Sequence, residues 1–196
     1  MEKLLFINAC MRGRDLSRTY RLCKVFIDNY CKTRPTAVLH EVDLTVNKLP
    51  CYDLEVLKRR DSLIDSGNLQ DEMFRYAKQF AEANKIIVGA PYWDLSFPAA
   101  LKVYVEHVSV RNISFRNVAD GVAGMCLAEK LIYITTAGGY ISGADFGADY
   151  FRGLCKFFGI KHFERIYAEG LDIETNEPEA IMAAAEKKAI QASGRF

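Results

Sequence analysis

The chain has no C-x-x-C pair, no extended basic run and no apolar segment of membrane-spanning length, and each absence removes a class of function. Its six cysteines (Cys10, Cys23, Cys31, Cys51, Cys126 and Cys155) are scattered over 196 residues. Without paired spacing they read as reduced, mostly buried thiols of a cytoplasmic protein, not as a disulfide framework. Three histidines, His40, His107 and His162, stand far apart with no carboxylate or cysteine at ligand spacing, so no metal site is expected. A formal net charge of +1 argues against a nucleic-acid partner. It also argues against a one-electron shuttle, which usually carries a strongly signed surface for steering. The basic triplet Lys58-Arg59-Arg60 reads first as solvated surface, and only second as a lure for a nicotinamide phosphate. Met1 is followed by Glu2-Lys3 and a short strand-like run, unlike a secretory leader, and no membrane association is expected. Neither a P-loop nor a dinucleotide fingerprint occurs. No repeat, linker or low-complexity tract divides the sequence, so residues 1–196 are expected to form one domain.

What is present is an alternation of strand and helix patterns. Lys3–Asn8, Lys85–Ala90 and Lys130–Thr136 are continuous apolar runs, the mark of strands covered on both faces. Val38–Leu44 and His162–Ala168 alternate instead, as edge strands do. Between them lie helical stripes. One begins near Ser17 and carries Cys23, Phe26, Ile27, Tyr30 and Cys31; another covers Asp71–Ala83. A third is expected to start at Ser96 and Pro98 and to bury Leu101, Tyr104, Val105 and Val108. A fourth spans Asp145–Phe158 with Gly159 as its C-cap, and Pro178 opens the last. Thr45–Gly67 is weakly periodic and Arg111–Glu129 reads as irregular. Apolar strands 1, 3 and 4 with alternating strands 2 and 5 fit the doubly wound, flavodoxin-like order 2-1-3-4-5, a five-stranded parallel α/β sheet with helices on both faces.

In that order the loops after strands 1, 3 and 4 converge. The first, Ala9–Thr19, ends with Ser17 and Thr19 at a helix N-terminus and adds Arg12, Arg14 and Arg18. It suits a phosphate, or else is a capping serine among solvated arginines. The second, Pro91-Tyr92-Trp93-Asp94-Leu95, strands large aromatics in a turn where they pack poorly but line a flat ligand well. The third, Thr136-Ala137-Gly138-Gly139-Tyr140, carries paired glycines that let the backbone approach a ligand.

Through most of its length the sequence resembles the FMN-dependent NAD(P)H:quinone oxidoreductases and azoreductases. Pro91–Leu95 with Leu101-Lys102 matches that family's P-M-Y-N-F turn and L-K helix. Ile113-Ser114-Phe115-Arg116 resembles its T-F-R segment, Thr135–Gly139 its T-S-R-G-G loop, and Ser17-Arg18-Thr19 its S-x-S loop. The resemblance implies FMN phosphate at Ser17, Arg18 and Thr19. It implies ring contacts from Pro91, Tyr92, Trp93, Asp94 and Leu95 and from Thr136, Ala137, Gly138 and Gly139. Cys10, counted with the cofactor-binding residues, stands about where the family often has serine; Asp94 replaces an asparagine, Ala137 an arginine and Ile141 a histidine.

The resemblance further implies a homodimer, with Thr45–Gly67 and Arg111–Glu129 available to cover a partner's flavin. Trp93, Phe115 and Tyr140 are candidate walls of the acceptor pocket; for Phe115, packing is an equal alternative. NADH or NADPH would supply hydride and a small flat acceptor, a quinone or azo compound, would receive it. No side chain is assigned as acid or base. Two other readings stand beside this one: a flavodoxin-type electron carrier, and a flavin-free regulatory or binding domain on the same fold.

Overall fold

A computed structural model describes all residues, Met1–Phe196. The apolar runs form strands because each is covered on both sides. β1 (Lys3–Asn8), β3 (Lys85–Gly89) and β6 (Lys130–Thr136) lie inside a parallel sheet, flanked by β2 (Val38–Asp43) and β7 (His162–Ala168). The order is β2-β1-β3-β6-β7, the expected 2-1-3-4-5 when only the sheet's own strands are counted. Register is set by side-chain alternation. Leu5, Ile7, Ile86, Val88, Leu131 and Tyr133 face one layer, whereas Leu4, Phe6, Ile87, Ile132 and Ile134 face the other.

The first layer is built from α4 (Arg75–Glu82), α5 (Ala99–Val108) and α6 (Phe146–Phe158), which contribute Phe80, Leu101, Tyr104, Phe151 and Phe158. The second is built from α2 (Arg18–Thr33) and α7 (Pro178–Arg195), with Leu22, Phe26, Tyr30, Met182 and Ala189. Gly159 ends α6 at φ 79°, the left-handed C-cap its position predicts. Pro178 opens α7 as its first residue, also as expected.

Several local expectations are corrected. Ser96 does not cap α5; Pro98 holds that position and its carbonyl accepts the Leu101 N–H at 3.0 Å. Ser96 instead closes a two-residue turn with Trp93, donating to the Trp93 carbonyl at 2.8 Å and accepting from its N–H at 3.2 Å. A short α1 (Gly13–Leu16) precedes α2, made possible by Gly13 at φ 80°. The weakly periodic segment contains α3 (Leu54–Asp65), capped by Asp53, whose carboxylate accepts from the Val56 N–H at 2.8 Å. The irregular segment contains an antiparallel hairpin, β4 (Phe115–Val118) with β5 (Gly121–Gly124). Both escaped notice because they are largely solvent-facing, so their apolar residues show little period. No helix is long and apolar enough to cross a membrane.

Candidate functional site

The carboxyl ends of β1, β3 and β6 open into a cleft of about 230 Å³ lined by twelve residues from four loops. Larger hollows open elsewhere, about 420 Å³ against α4, about 460 Å³ beside Arg60 and Arg111 and about 290 Å³ between Met11 and Thr45, but none is lined by the loops after β1, β3 and β6 together. The cleft matters because of its chemistry, not its size.

One end is the N-terminus of α2. Ser17 caps it, its Oγ accepting the Tyr20 N–H at 3.1 Å. Arg18 and Thr19 stand in the first turn, where no preceding turn accepts their N–H groups. Thr19 Oγ1 lies 2.6 Å from Thr136 Oγ1, both residues being buried. One hydroxyl of such a pair donates to the other, which leaves the second proton for a ligand. Arg12 and Arg18 bring positive charge to this end. Arg14 does not; it turns to Glu41 at 3.0 Å and Asp43 at 3.4 Å beside β2, and the Glu41 charge raises its pKa further.

The opposite walls are Pro91, Tyr92 and Trp93 on one side and Thr136, Ala137 and Gly138 on the other. The N–H groups of Tyr92 and Trp93 are already used, by the Thr136 carbonyl at 2.9 Å and the Ser96 carbonyl at 3.2 Å, so of the aromatic turn only Asp94 and Leu95 keep theirs. Gly138 and Gly139 also have unpartnered N–H groups. Their carbonyls accept from Asp172 and Gly170, both at 2.9 Å, which zips this turn to the loop after β7.

Not every residue singled out in the sequence reaches the cleft. Cys10 is wholly buried beneath it, with its N–H on Asn8 Oδ1 and its thiol directed at the Gly89 carbonyl, so it cannot touch a ligand there. Asp94 and Leu95 form the exposed tip of the aromatic turn, and Gly139 lies just outside the lining. Phe115 packs on Phe157 with ring centroids 4.7 Å apart and lines the separate hollow near Arg60, so within one chain it shares no cavity with Trp93. Trp93 is 41% exposed at the rim, whereas Tyr140, 59% exposed, does not line the cleft and its Oη accepts from Asn176 Nδ2 at 3.2 Å. Arg59 and Arg60 are engaged with Asp71 and Asp61, as a solvated surface requires. Leu171 and Asp172 were missed, because the loop after an edge strand carried no motif.

The aromatic tip is strained. Asp94 and Leu95 hold φ of 50° and 67°, the type I′ geometry that favours Asn-Gly, and a leucine there costs about 1 kcal/mol. Leu95→Gly is expected to stabilise the chain by about 0.5–1 kcal/mol in urea titrations, because Leu95 is half exposed and little burial is lost. A loss of stability would mean that its side chain is covered in solution.

The ionisable groups of the cleft are Arg12, Arg18, Tyr92 and Asp172; no cysteine or histidine lines it. Nothing there resembles a nucleophile with its base. The cleft is instead a cradle: an anion end, an aromatic wall and a glycine wall with free donors.

The family model for the flavodoxin-like fold matches residues 2–192. An FMN-dependent NADH:quinone oxidoreductase of Clostridium beijerinckii is 34% identical, and a second, from Clostridium acetobutylicum, is 32% identical, each aligned over the whole of both chains. Among solved structures, an azoreductase of Bacillus anthracis superposes with a TM-score of 0.89 at 22% identity, covering all of both chains. An FMN-dependent NADH-azoreductase from the same organism, solved with FMN, superposes with a TM-score of 0.87 at 21% identity over 100% of this chain and 99% of that one. These two likenesses establish the fold. The full-length relatives establish more: the chain belongs to the FMN-dependent NADH:quinone oxidoreductase family of the flavodoxin-like fold.

Proposed function

We propose that this chain is an FMN-dependent NAD(P)H oxidoreductase that reduces quinones, azo compounds or similar flat acceptors, with residues 1–196 acting as one domain. The observation that carries the reading is the pairing, in one cleft, of the first turn of α2 with the unpartnered N–H group of Gly138, with that of Gly139 just beyond the lining. The residues fit the cofactor. Ser17, Arg18 and Thr19 would hold its phosphate, and Tyr92 and Trp93 would face Thr136, Ala137 and Gly138 across its ring. When bound, FMN supplies the hydride chemistry, accepting two electrons and a proton from the nicotinamide and giving them to the acceptor.

The chain's own share is binding and electrostatics. The fixed donors at Gly138 and Gly139 favour negative charge on their wall without reorganisation. Trp93, exposed at the rim, offers an aromatic surface on which donor and acceptor would stack in turn. Initial-rate plots should therefore show parallel lines, as a ping-pong scheme requires. Anaerobic spectra test the reading directly: after FMN is added and the excess removed, the protein should retain a flavin spectrum that bleaches with NADH. No retained flavin would sink the assignment; flavin that stays oxidised with NADH and NADPH would mark an electron carrier.

The phosphate contact makes a separate prediction. Arg18→Leu is expected to weaken FMN about tenfold or more, as loss of a charge-assisted hydrogen bond does, and to leave riboflavin nearly unaffected. Fluorescence-quenching titrations with both flavins would check it.

We also place the protein in the cytoplasm as a homodimer. Six free cysteines, with Cys51 exposed, suit a reducing compartment. Exposed apolar side chains on and beside the hairpin, Val118, Val122, Met125 and Leu127, favour a second copy over this region. Light scattering on the eluted protein should give about twice the chain mass.

A further inference from the structure

The cation best placed for a phosphate is already engaged by an anion of the chain itself. Arg18 donates from Nη2 to Asp172 Oδ1 at 2.5 Å and from Nη1 to the Leu171 carbonyl at 2.9 Å. The other oxygen of Asp172 lies over the glycine wall: a Cβ built on Gly138 would come within 2.2 Å of Asp172 Oδ2. One carboxylate therefore sits between Arg18 and the Gly138 backbone, with one oxygen on the guanidinium and the other against the glycine wall.

Its attachment allows it to leave. The main chain of Asp172 is fixed, since its N–H donates to the Gly138 carbonyl at 2.9 Å. The side chain is held only at Arg18 and is 60% exposed, while Arg18 is 33% exposed. An ion pair this open to water is weak and can be exchanged for a better partner. A phosphate monoester arriving at the first turn of α2 is such a partner, carrying more charge and three acceptor oxygens.

We propose that Asp172 is a specificity-determining latch: its carboxylate takes the place at Arg18 that a ligand's phosphate would take, and only a ligand that satisfies both Arg18 and the Gly138 wall displaces it. This rests on the FMN reading above. The consequence is discrimination. A small anion can offer Arg18 no more than Asp172 does, and a flavin without phosphate leaves the pair intact but must still push the second carboxylate oxygen off Gly138. FMN alone meets both conditions, and part of its binding free energy is spent in breaking the pair.

The test uses the full chain freed of flavin and compares FMN with riboflavin by fluorescence quenching at low ionic strength. Asp172→Asn should tighten FMN about three- to fivefold, the upper part of what an exposed ion pair is worth, and riboflavin by no more than about twofold. The FMN gain should shrink to about twofold when Arg18→Leu is also present, and in 0.5 M salt. Equal tightening of both flavins would overturn the latch in favour of simple crowding over Gly138. Weaker FMN binding would make Asp172 a support that positions Arg18, and an unchanged affinity would show that the pair has no weight; either overturns the proposal. If the unaltered chain binds neither flavin, the FMN reading falls and the latch with it. If it binds FMN but the Asn variant behaves identically, the latch alone is lost.

Discussion

Gly124→Ala should cost about 3 kcal/mol, the largest loss expected from adding a single methyl group to this chain. Gly124 ends β5, and the hairpin docks there on the last turn of α6. A Cβ at that position would lie 1.9 Å from the Phe158 carbonyl carbon and 2.1 Å from the Gly159 nitrogen. Both are backbone atoms, and neither can rotate away as a side chain would. The hydrogen bonds that seat this segment, from Met125 N–H to the Ser114 carbonyl at 2.9 Å and from Cys126 N–H to the Phe158 carbonyl at 3.2 Å, fix the approach. The glycine is needed for space, not for its dihedral freedom, since its φ is not positive.

The control sits in the helix it touches. Gly153 of α6 is exposed with nothing within 4 Å of a built Cβ, so Gly153→Ala should stabilise by about 0.5–1 kcal/mol through helix propensity. The same substitution thus changes sign across one contact. Thermal melts should show a fall of about 6–12 °C for Gly124→Ala against a small rise for Gly153→Ala. A fall of less than about 2 °C would mean that the hairpin is not seated on α6 in solution. Because the exposed valines of the hairpin belong to the proposed dimer surface, the Gly124 variant should also dissociate more readily on dilution.

The sheet was legible because its physics is written at every position. Ile86, Ile87 and Val88 are all fully buried, whereas His40 and Glu41 of β2 are not, so uniform and alternating runs separate interior from edge. Three of the loops lining the cleft were legible for the same reason: once β1, β3 and β6 are known to be neighbours, the residues after them must meet. The fourth loop was not. Leu171 and Asp172 follow an edge strand, and nothing in their identity says that Gly170 donates to the Gly139 carbonyl or that Arg18 reaches across 154 positions of sequence. Long-range polar pairing has no period. Cys10 shows the converse failure: its place in the first loop pointed to the cleft, but the Asn8 side chain binds its N–H and turns its thiol inward, a detail of local geometry. The helix cap at Asp53 was readable in principle, and only the weak apolar period after it concealed α3.

Gly138→Val should weaken flavin binding about 100-fold while the chain still folds. Its φ is not positive, so a branched residue suffers no special backbone penalty. The atoms its Cβ would meet are Oδ2, Cγ and Cβ of Asp172, the mobile part of an exposed side chain, which can swing aside. The damage falls on the cleft. A valine on its glycine wall fills space that a flat ring opposite Tyr92 and Trp93 must occupy, and it screens the N–H groups of Gly138 and Gly139. Overpacking of this kind corresponds to a loss of about 100-fold in affinity, and it should strike FMN and riboflavin alike because the ring, not the phosphate, is excluded.

Two companions make the result specific. Gly139→Ala, with nothing within 4 Å of its built Cβ, should leave FMN binding within about threefold, since an alanine in open space costs little. Asp172→Ala added to Gly138→Val should restore little, because it removes the carboxylate that the valine displaces but leaves the valine itself on the wall. Flavin titration of the three variants, with a melt of each to confirm the fold, decides the matter. Retained FMN in the Gly138 variant would place the ring somewhere other than between the aromatic turn and the double glycine, and the donors at Gly138 and Gly139 would then lose their assigned role.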